Sequence, residues 1–166
     1  MPDRIVIDTG PLISLAAGGV PHLLRDLPHE FLVPEEVRIE IERGERAGRA
    51  RVDLSGVKIV ESSVPVDAVT MSLLGSGEAA VIHYALHHEV GIVCIDEKKG
   101  RRIARAVDLE VVGTLGLLLE AKKLGLLEAI APIVERLCAF GIWFDRQLLE
   151  RVLTFTKEPL LPKQDS

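Results

Sequence analysis

Aromatic side chains are scarce in this sequence: one Trp, one Tyr and four Phe among 166 residues. Any core must therefore be aliphatic, and an apolar fraction of 48% supplies the Leu, Val, Ile and Ala to build it. Cysteine is nearly absent. Cys94 lies in an apolar strand-like run and Cys138 in an apolar helix-like run, and neither has the spacing of a metal knuckle. Two buried thiols without a signal peptide point to a reducing, intracellular setting. No apolar run approaches the ~20 residues that a membrane span needs. Positive charge is not in excess either, with 25 acids against 20 bases and a net charge of −5. Such a chain is no general polyanion binder, so contact with nucleic acid must rest on a local basic patch or on bound cations. The expectation is a soluble, cytoplasmic protein with no membrane contact. One domain covers residues 1–156, and a loose tail follows over 157–166.

Apolar, β-branched runs at residues 4–8 (RIVID), 31–33, 57–60, 91–95 and 110–112 read as strands. Helical periodicity lies between and after them. It covers 12–17, 20–27, 35–43 (stopped by Gly44), 66–74, a run opening on Glu78, and a basic helix from Lys98. Three more helices follow over 114–124, 126–140 and 145–155. Residues 44–56 are charged and Gly-rich and read as a mobile loop or a frayed helix end. Strands alternating with helices predict an α/β fold, a parallel sheet flanked by helices, with a helical C-terminal extension.

Two of the apolar strands, RIVID and GIVCID, end on an aspartate, Asp8 and Asp96. A parallel sheet puts all its C-terminal strand ends on one edge, so these two converge where open α/β folds bind ligands. Glu78 falls on the apolar face of its helix, between Val81 and Ala85 on one side and Ile82 and Leu86 on the other, and joins them from the helix N-terminus. Glu40 stands at the rim of this cluster, on the helix after the second strand. Singly, each acid reads as a turn residue or a helix-dipole partner. Together they repel one another unless a cation sits between them, and oxygen ligands suit Mg²⁺ or Mn²⁺. The basic helix places Lys98, Arg101, Arg102 and Arg105 on one face, either a solvated surface or a phosphate-backbone contact. His83 and His87 are one turn apart but lack the glutamate of a zinc-protease motif. Residues 75–80 (GSGEAA) fit a relaxed dinucleotide fingerprint, but a helix, not a strand, precedes them. No P-loop or nucleophile elbow occurs.

IVIDTGPLISLA, VPEEVRIEIERG, GSGEAAVIHYAL and VCIDEKKGRRIARAVDLEVVGTLGLLLEAKKLGLL together resemble the PIN-domain superfamily of metal-dependent nucleases. The likeness is to a prokaryotic branch related to the toxin ribonucleases of toxin–antitoxin modules. It spans residues 4–130 and continues more weakly through GIWFDRQLLERVL. It implies a three-layer PIN-like sandwich with Asp8, Glu40, Glu78 and Asp96 as catalytic acids. Asp8, Glu78 and Asp96 would hold Mg²⁺ or Mn²⁺. Thr9 would be the hydroxyl residue that often follows the first acid, and Thr9, Lys98, Lys99, Arg101 and Arg102 would contact nucleic acid. Two positions depart from the pattern: Glu78 where Asp is common, and Cys94 where Thr or Ser often stands two before the last acid. The implied function is divalent-metal-dependent hydrolysis of RNA, as the toxin of a toxin–antitoxin pair, with an antitoxin-type protein inhibitor as partner. The alternative is a PIN-like scaffold that binds nucleic acid or a partner without cutting. A receiver domain fits less well, because the third strand ends on Glu61-Ser62 with no phospho-accepting aspartate. Apolar surplus in the last helices, with Trp143 and Phe144 after a glycine break, predicts a homodimer with Trp143 near the contact.

Overall fold

The computed structural model describes residues 2–162. Along the chain run β1 (Asp3–Ile7), α1 (Thr9–Ala17), α2 (Leu23–Asp26), β2 (His29–Pro34), α3 (Glu35–Arg46), β3 (Lys58–Val60) and α4 (Ala68–Leu73). There follow α5 (Ser76–His87), β4 (Ile92–Cys94), α6 (Lys98–Ala106), β5 (Glu110–Val112), α7 (Thr114–Lys123), α8 (Ala131–Ala139) and α9 (Arg146–Phe155). The strands form one parallel sheet in the order β3-β2-β1-β4-β5, with Ile5, Val6 and Ile7 in register with Ile92, Val93 and Cys94. Successive strand residues face opposite sides of a sheet. Ile5, Val6 and Ile7 are all buried, as are Phe31, Leu32 and Val33, so helices cover both faces. This is the α/β sandwich that the alternating pattern predicts.

The order of the strands decides where a site belongs. From β1 the chain steps outward to β2 and β3, then returns to the other side of β1 to lay down β4 and β5. The reversal lies between β1 and β4, and the crevice beyond their C-terminal ends is the topological switch point. The backbone N–H of Asp8 donates to Cys94 O at 3.0 Å, which ties the two strand ends together there. α5 packs along α3 and against β1, β2 and β4, while α1 meets α3, α7 and α8. Among the described residues no helix is long and apolar enough to cross a membrane.

Several boundaries differ from expectation, each for a local reason. α3 runs through Gly44 to Arg46, because the Arg49 side chain folds back over the bare glycine, 3.2 Å from where a Cβ would stand. The loop after it is pinned rather than mobile at Val52, which is buried and donates its N–H to Glu45 Oε1 at 2.8 Å. α2 is shorter than the expected 20–27. α8 begins at Ala131 instead of 126, where Pro132 supplies the first-turn residue that needs no N–H donor. Residues 157–162, read as the start of a loose tail, are anchored: Leu161 is buried and Glu158 accepts from Ile130 N, Ala131 N and Lys122 Nζ. The rest of that tail, 163–166, lies outside the described residues.

Candidate functional site

Asp8 sits at the N-cap of α1, yet its side chain makes no capping bond. It is 6% exposed, and its Oδ1 is buried without a hydrogen-bond partner. Such a carboxylate is costly. Burial is the main reason its carboxyl is pushed from an ordinary 3.8 up to about 7; the charges of Glu78, Glu40 and Asp96 add to the rise, against one lowering bond from the Thr9 backbone. That one bond leaves Oδ1 unsatisfied, so a simple turn or cap does not account for Asp8.

Asp8, Glu40, Glu78 and Asp96 line one cavity of about 400 Å³, together with Thr9 and Glu97. Glu40 is half-buried within the cluster rather than at its rim. Its Oε2 accepts from Thr9 Oγ1 at 2.7 Å, and its Oε1 accepts from Ser76 Oγ at 2.7 Å and Gly77 N at 2.8 Å. The N-cap of α5 is Gly75, which has no side chain to offer, so Glu40 satisfies that helix start from another element. The approach is close enough that a Cβ on Gly77 would stand 2.5 Å from Glu40 Oε2.

Asp96 repeats the device on the other side. The N-cap of α7 is Gly113, and Asp96 supplies the missing acceptors: Oδ1 to Thr114 N at 2.8 Å and Oδ2 to Thr114 Oγ1 at 2.6 Å. Thr114 is fully buried. Glu78 lies in the first turn of α5, two residues after the helix opens at Ser76, and is half-buried. Burial raises its carboxyl, Glu97 and Glu40 raise it further, and Lys99 opposes them. Glu97 is a fifth acid that the sequence reading passed over; it caps α6 by accepting from Gly100 N at 3.0 Å.

The basic helix divides into two kinds of residue. Lys98, Lys99, Arg102 and Arg105 are exposed on α6. Arg101 is half-buried, and its Nη1 donates to Ile95 O at 2.7 Å, so its charge is fixed behind the end of β4. The histidines are elsewhere engaged: His83 Nε2 lies 2.7 Å from Val64 O, and its ring meets that of His87 at 4.2 Å between centroids. Residues 75–80 follow α4 and so lack the strand that a dinucleotide site requires.

As placed, no three His, Cys, Asp or Glu side chains among the described residues form a group that could hold a metal ion. Glu40 and Asp96 direct their oxygens toward helix starts. The donor chemistry nonetheless suits a hard divalent cation. The cavity offers only oxygens, one is the unpartnered Asp8 Oδ1, and a carboxylate oxygen that accepts one bond keeps a second lone pair for a metal. The hydroxyls of Thr9 and Ser76 orient Glu40, and that of Thr114 orients Asp96, at the wall of this cavity.

A family model described as DUF3368, a PIN domain, matches residues 4–158. No match is found among curated proteins. Among solved structures the chain is similar to a PilT N-terminus domain protein from the hyperthermophilic archaeon Sulfolobus solfataricus P2, at 14% identity. The TM-score is 0.50, covering 76% of this chain and 96% of that one, a likeness of fold.

Proposed function

We propose, for a chain that belongs to the PIN-domain family DUF3368, that it hydrolyses RNA phosphodiester bonds with Mg²⁺ or Mn²⁺. PIN domains are generally nucleases and generally use divalent metals. The observation that carries the finer reading is the unpartnered Asp8 carboxylate, buried among further acids at the switch point of a parallel sheet. Asp8, Glu78 and Asp96 hold the cation, and Glu40, braced by Thr9, Ser76 and Gly77, sets the shape of the acid cavity beside them. When bound, the cation supplies Lewis acidity, activating water and neutralising phosphate charge. Glu78 or Asp96 orients the attacking water. Lys98, Lys99 and Arg102 track the phosphate backbone, while Arg101 contributes a fixed charge beside Asp96. A toxin role, with an antitoxin-type inhibitor over the acid edge, belongs to the same proposal. So does a homodimer, which the exposed Leu124 and Phe155 at the ends of α7 and α9 support.

The test is incubation of the purified protein and its Asp8→Asn variant with mixed RNAs, with Mn²⁺ or with chelator. Cleavage by the parent with Mn²⁺ only, and none by the variant, is the expected result. A second reading, a PIN-like protein that binds without cutting, is favoured by one observation: both oxygens of Glu40 and of Asp96 already have partners. Metal-dependent stabilisation without any cleavage decides for it.

A further inference from the structure

Asp96 lines a second cavity as well as the acid one. This groove, of about 410 Å³, has a wall of Leu115, Leu119 and Leu148, and Trp143 lies along it. Lys98 and Arg101 stand where it adjoins Asp96. The junction is kept open by a glycine: a Cβ on Gly113 would stand 2.6 Å from Arg101 Nη1 and 2.9 Å from Asp96 Oδ1. Trp143 is the only tryptophan of the chain and is 60% exposed. Among the described residues its indole stacks on no other ring.

Asp145 also lines the groove, so Lys98 and Arg101 stand as two cations against two acids. An exposed indole, an aliphatic wall and cations beside the acid cavity have one chemistry in common. Every nucleobase has a π-face that stacks on an aromatic side chain, and its phosphate is an anion. The volume falls within the range of small-ligand sites. An apolar peptide would bury the wall but bring no anion to Lys98 and Arg101. We propose that this groove is a nucleobase subsite, in which an unpaired base of single-stranded RNA stacks on Trp143 while its phosphate meets Lys98 and Arg101. The inference rests on the ribonuclease reading and deepens it by naming the groove and the side chain that receive a base. A base inside a duplex is already stacked and cannot enter this groove.

The lone tryptophan is its own reporter. The probe is a short single-stranded RNA of mixed sequence, added to the Asp8→Asn protein so that nothing is cut, in parallel with its duplex and with an abasic version. The single strand quenches Trp143 emission and the other two do not. Trp143→Ala weakens single-strand binding by about tenfold, and Trp143→Phe restores most of it. Equal quenching by the abasic strand, or unchanged binding by Trp143→Ala, overturns the subsite. So does emission that shifts on dilution and ignores RNA, which returns Trp143 to a contact between copies. The two readings fail separately. Base-dependent quenching by a parent protein that never cuts removes the nuclease and keeps the subsite. Cleavage with unchanged KM in Trp143→Ala does the reverse.

Discussion

Two carboxylates of this chain are turned in from solvent and treated in opposite ways. Asp8 is buried as a whole residue, whereas Glu158 is half-buried with its side chain folded inward. Glu158 accepts from Ile130 N, Ala131 N and Lys122 Nζ at 2.8, 2.8 and 2.6 Å. Burial pushes its carboxyl up, but the Ala131 N–H, Lys122 and the Ile130 N–H outweigh that and hold it below the usual range. Asp8 has burial that its one bond from the Thr9 backbone does not offset, acids for neighbours and an oxygen with no partner. Partners and neighbouring charges, beyond shielding, therefore set how a carboxylate behaves. Glu158 fastens the start of α8 and the segment after α9 to the body, whereas Asp8 is held in place at a cost that the fold alone gives no reason to bear.

The sharpest way to break this contrast is Asp8→Asn. Cleavage should fall by about a thousandfold, while the metal-free protein becomes more stable at pH 8. Native Asp8 keeps its proton up to about 7, whereas an unfolded aspartate releases it near 3.8. Between those values the native state binds the extra proton, so stability falls as pH rises through that window and the full penalty stands above it. The interval corresponds to roughly 4 kcal/mol, an upper value for a group in such a cluster. Glu78, also raised, adds in the same sense. Urea unfolding in chelator at pH 5 and pH 8 measures it. A variant whose pH profile runs parallel to the parent's removes Asp8 as the source.

Glu158→Ala should do the opposite on both counts. It strands two backbone donors and an ammonium, costing about 3 kcal/mol at neutral pH, or roughly 10 °C in Tm. Because the Glu158 carboxyl is lowered on folding, its contribution is present above the ordinary value of 4.5 and is lost as pH falls. The deficit of the variant should therefore shrink in acid, while activity per folded molecule is retained. A deficit that does not change with pH would mean that packing, and not the charge, is what Glu158 contributes.

The difference between these two carboxylates was only half legible in the sequence. Asp8 and Asp96 could be set on one edge because apolar strands of a parallel sheet have no other arrangement. Glu40 could be set only at the rim from its place on the helix after the second strand, and its catalytic role came through resemblance. Its bonds to Ser76 and Gly77, 36 and 37 residues away, depend on how α3 meets α5, and no local pattern encodes that. The same holds for Thr114 against Asp96 and for Glu158 against α8. A signal for the first two was present, however: Gly75 and Gly113 open helices without a capping side chain, so an acceptor had to come from elsewhere. Trp143 reads as a dimer contact from its apolar sequence neighbours, and that it lines one groove with Asp96 depends on tertiary packing that no local pattern encodes.

Metal supplies a gentler test. Mg²⁺ or Mn²⁺ should stabilise the parent by about 2.7 kcal/mol at a hundredfold excess over Kd, because it binds only the assembled acids. The gain should grow with pH, since Asp8 must release its proton to bind. Asp8→Asn should show no gain and Glu158→Ala a full one, read by calorimetric Tm with and without chelator. Equal stabilisation of all three proteins by metal would place the cation away from the acid cavity.

The smallest effect belongs to the basic helix, and it applies the same contrast to cations. Lys98 and Lys99 are exposed on α6, whereas Arg101 is half-buried and donates to Ile95 O. Burial lowers the guanidinium's proton affinity and Arg105 adds to that, with Asp96 acting the other way, so Arg101 is set in a protein environment rather than in solvent. Replacing it would disturb the end of β4 as well as any RNA contact, and the outcome would be ambiguous. The exposed pair is the clean choice. Lys98→Glu with Lys99→Glu should leave Tm nearly unchanged, because exposed charges contribute little to stability. Single-stranded RNA binding should weaken and lose about 1.4 from the slope of log K against log salt, the loss expected for two phosphate contacts. Lys99 also opposes the rise of the Glu78 carboxyl, so its loss should move the pH dependence of metal binding upward. A salt slope identical to the parent's would leave α6 an ordinary solvated face and would confine RNA contact to the groove beside Trp143.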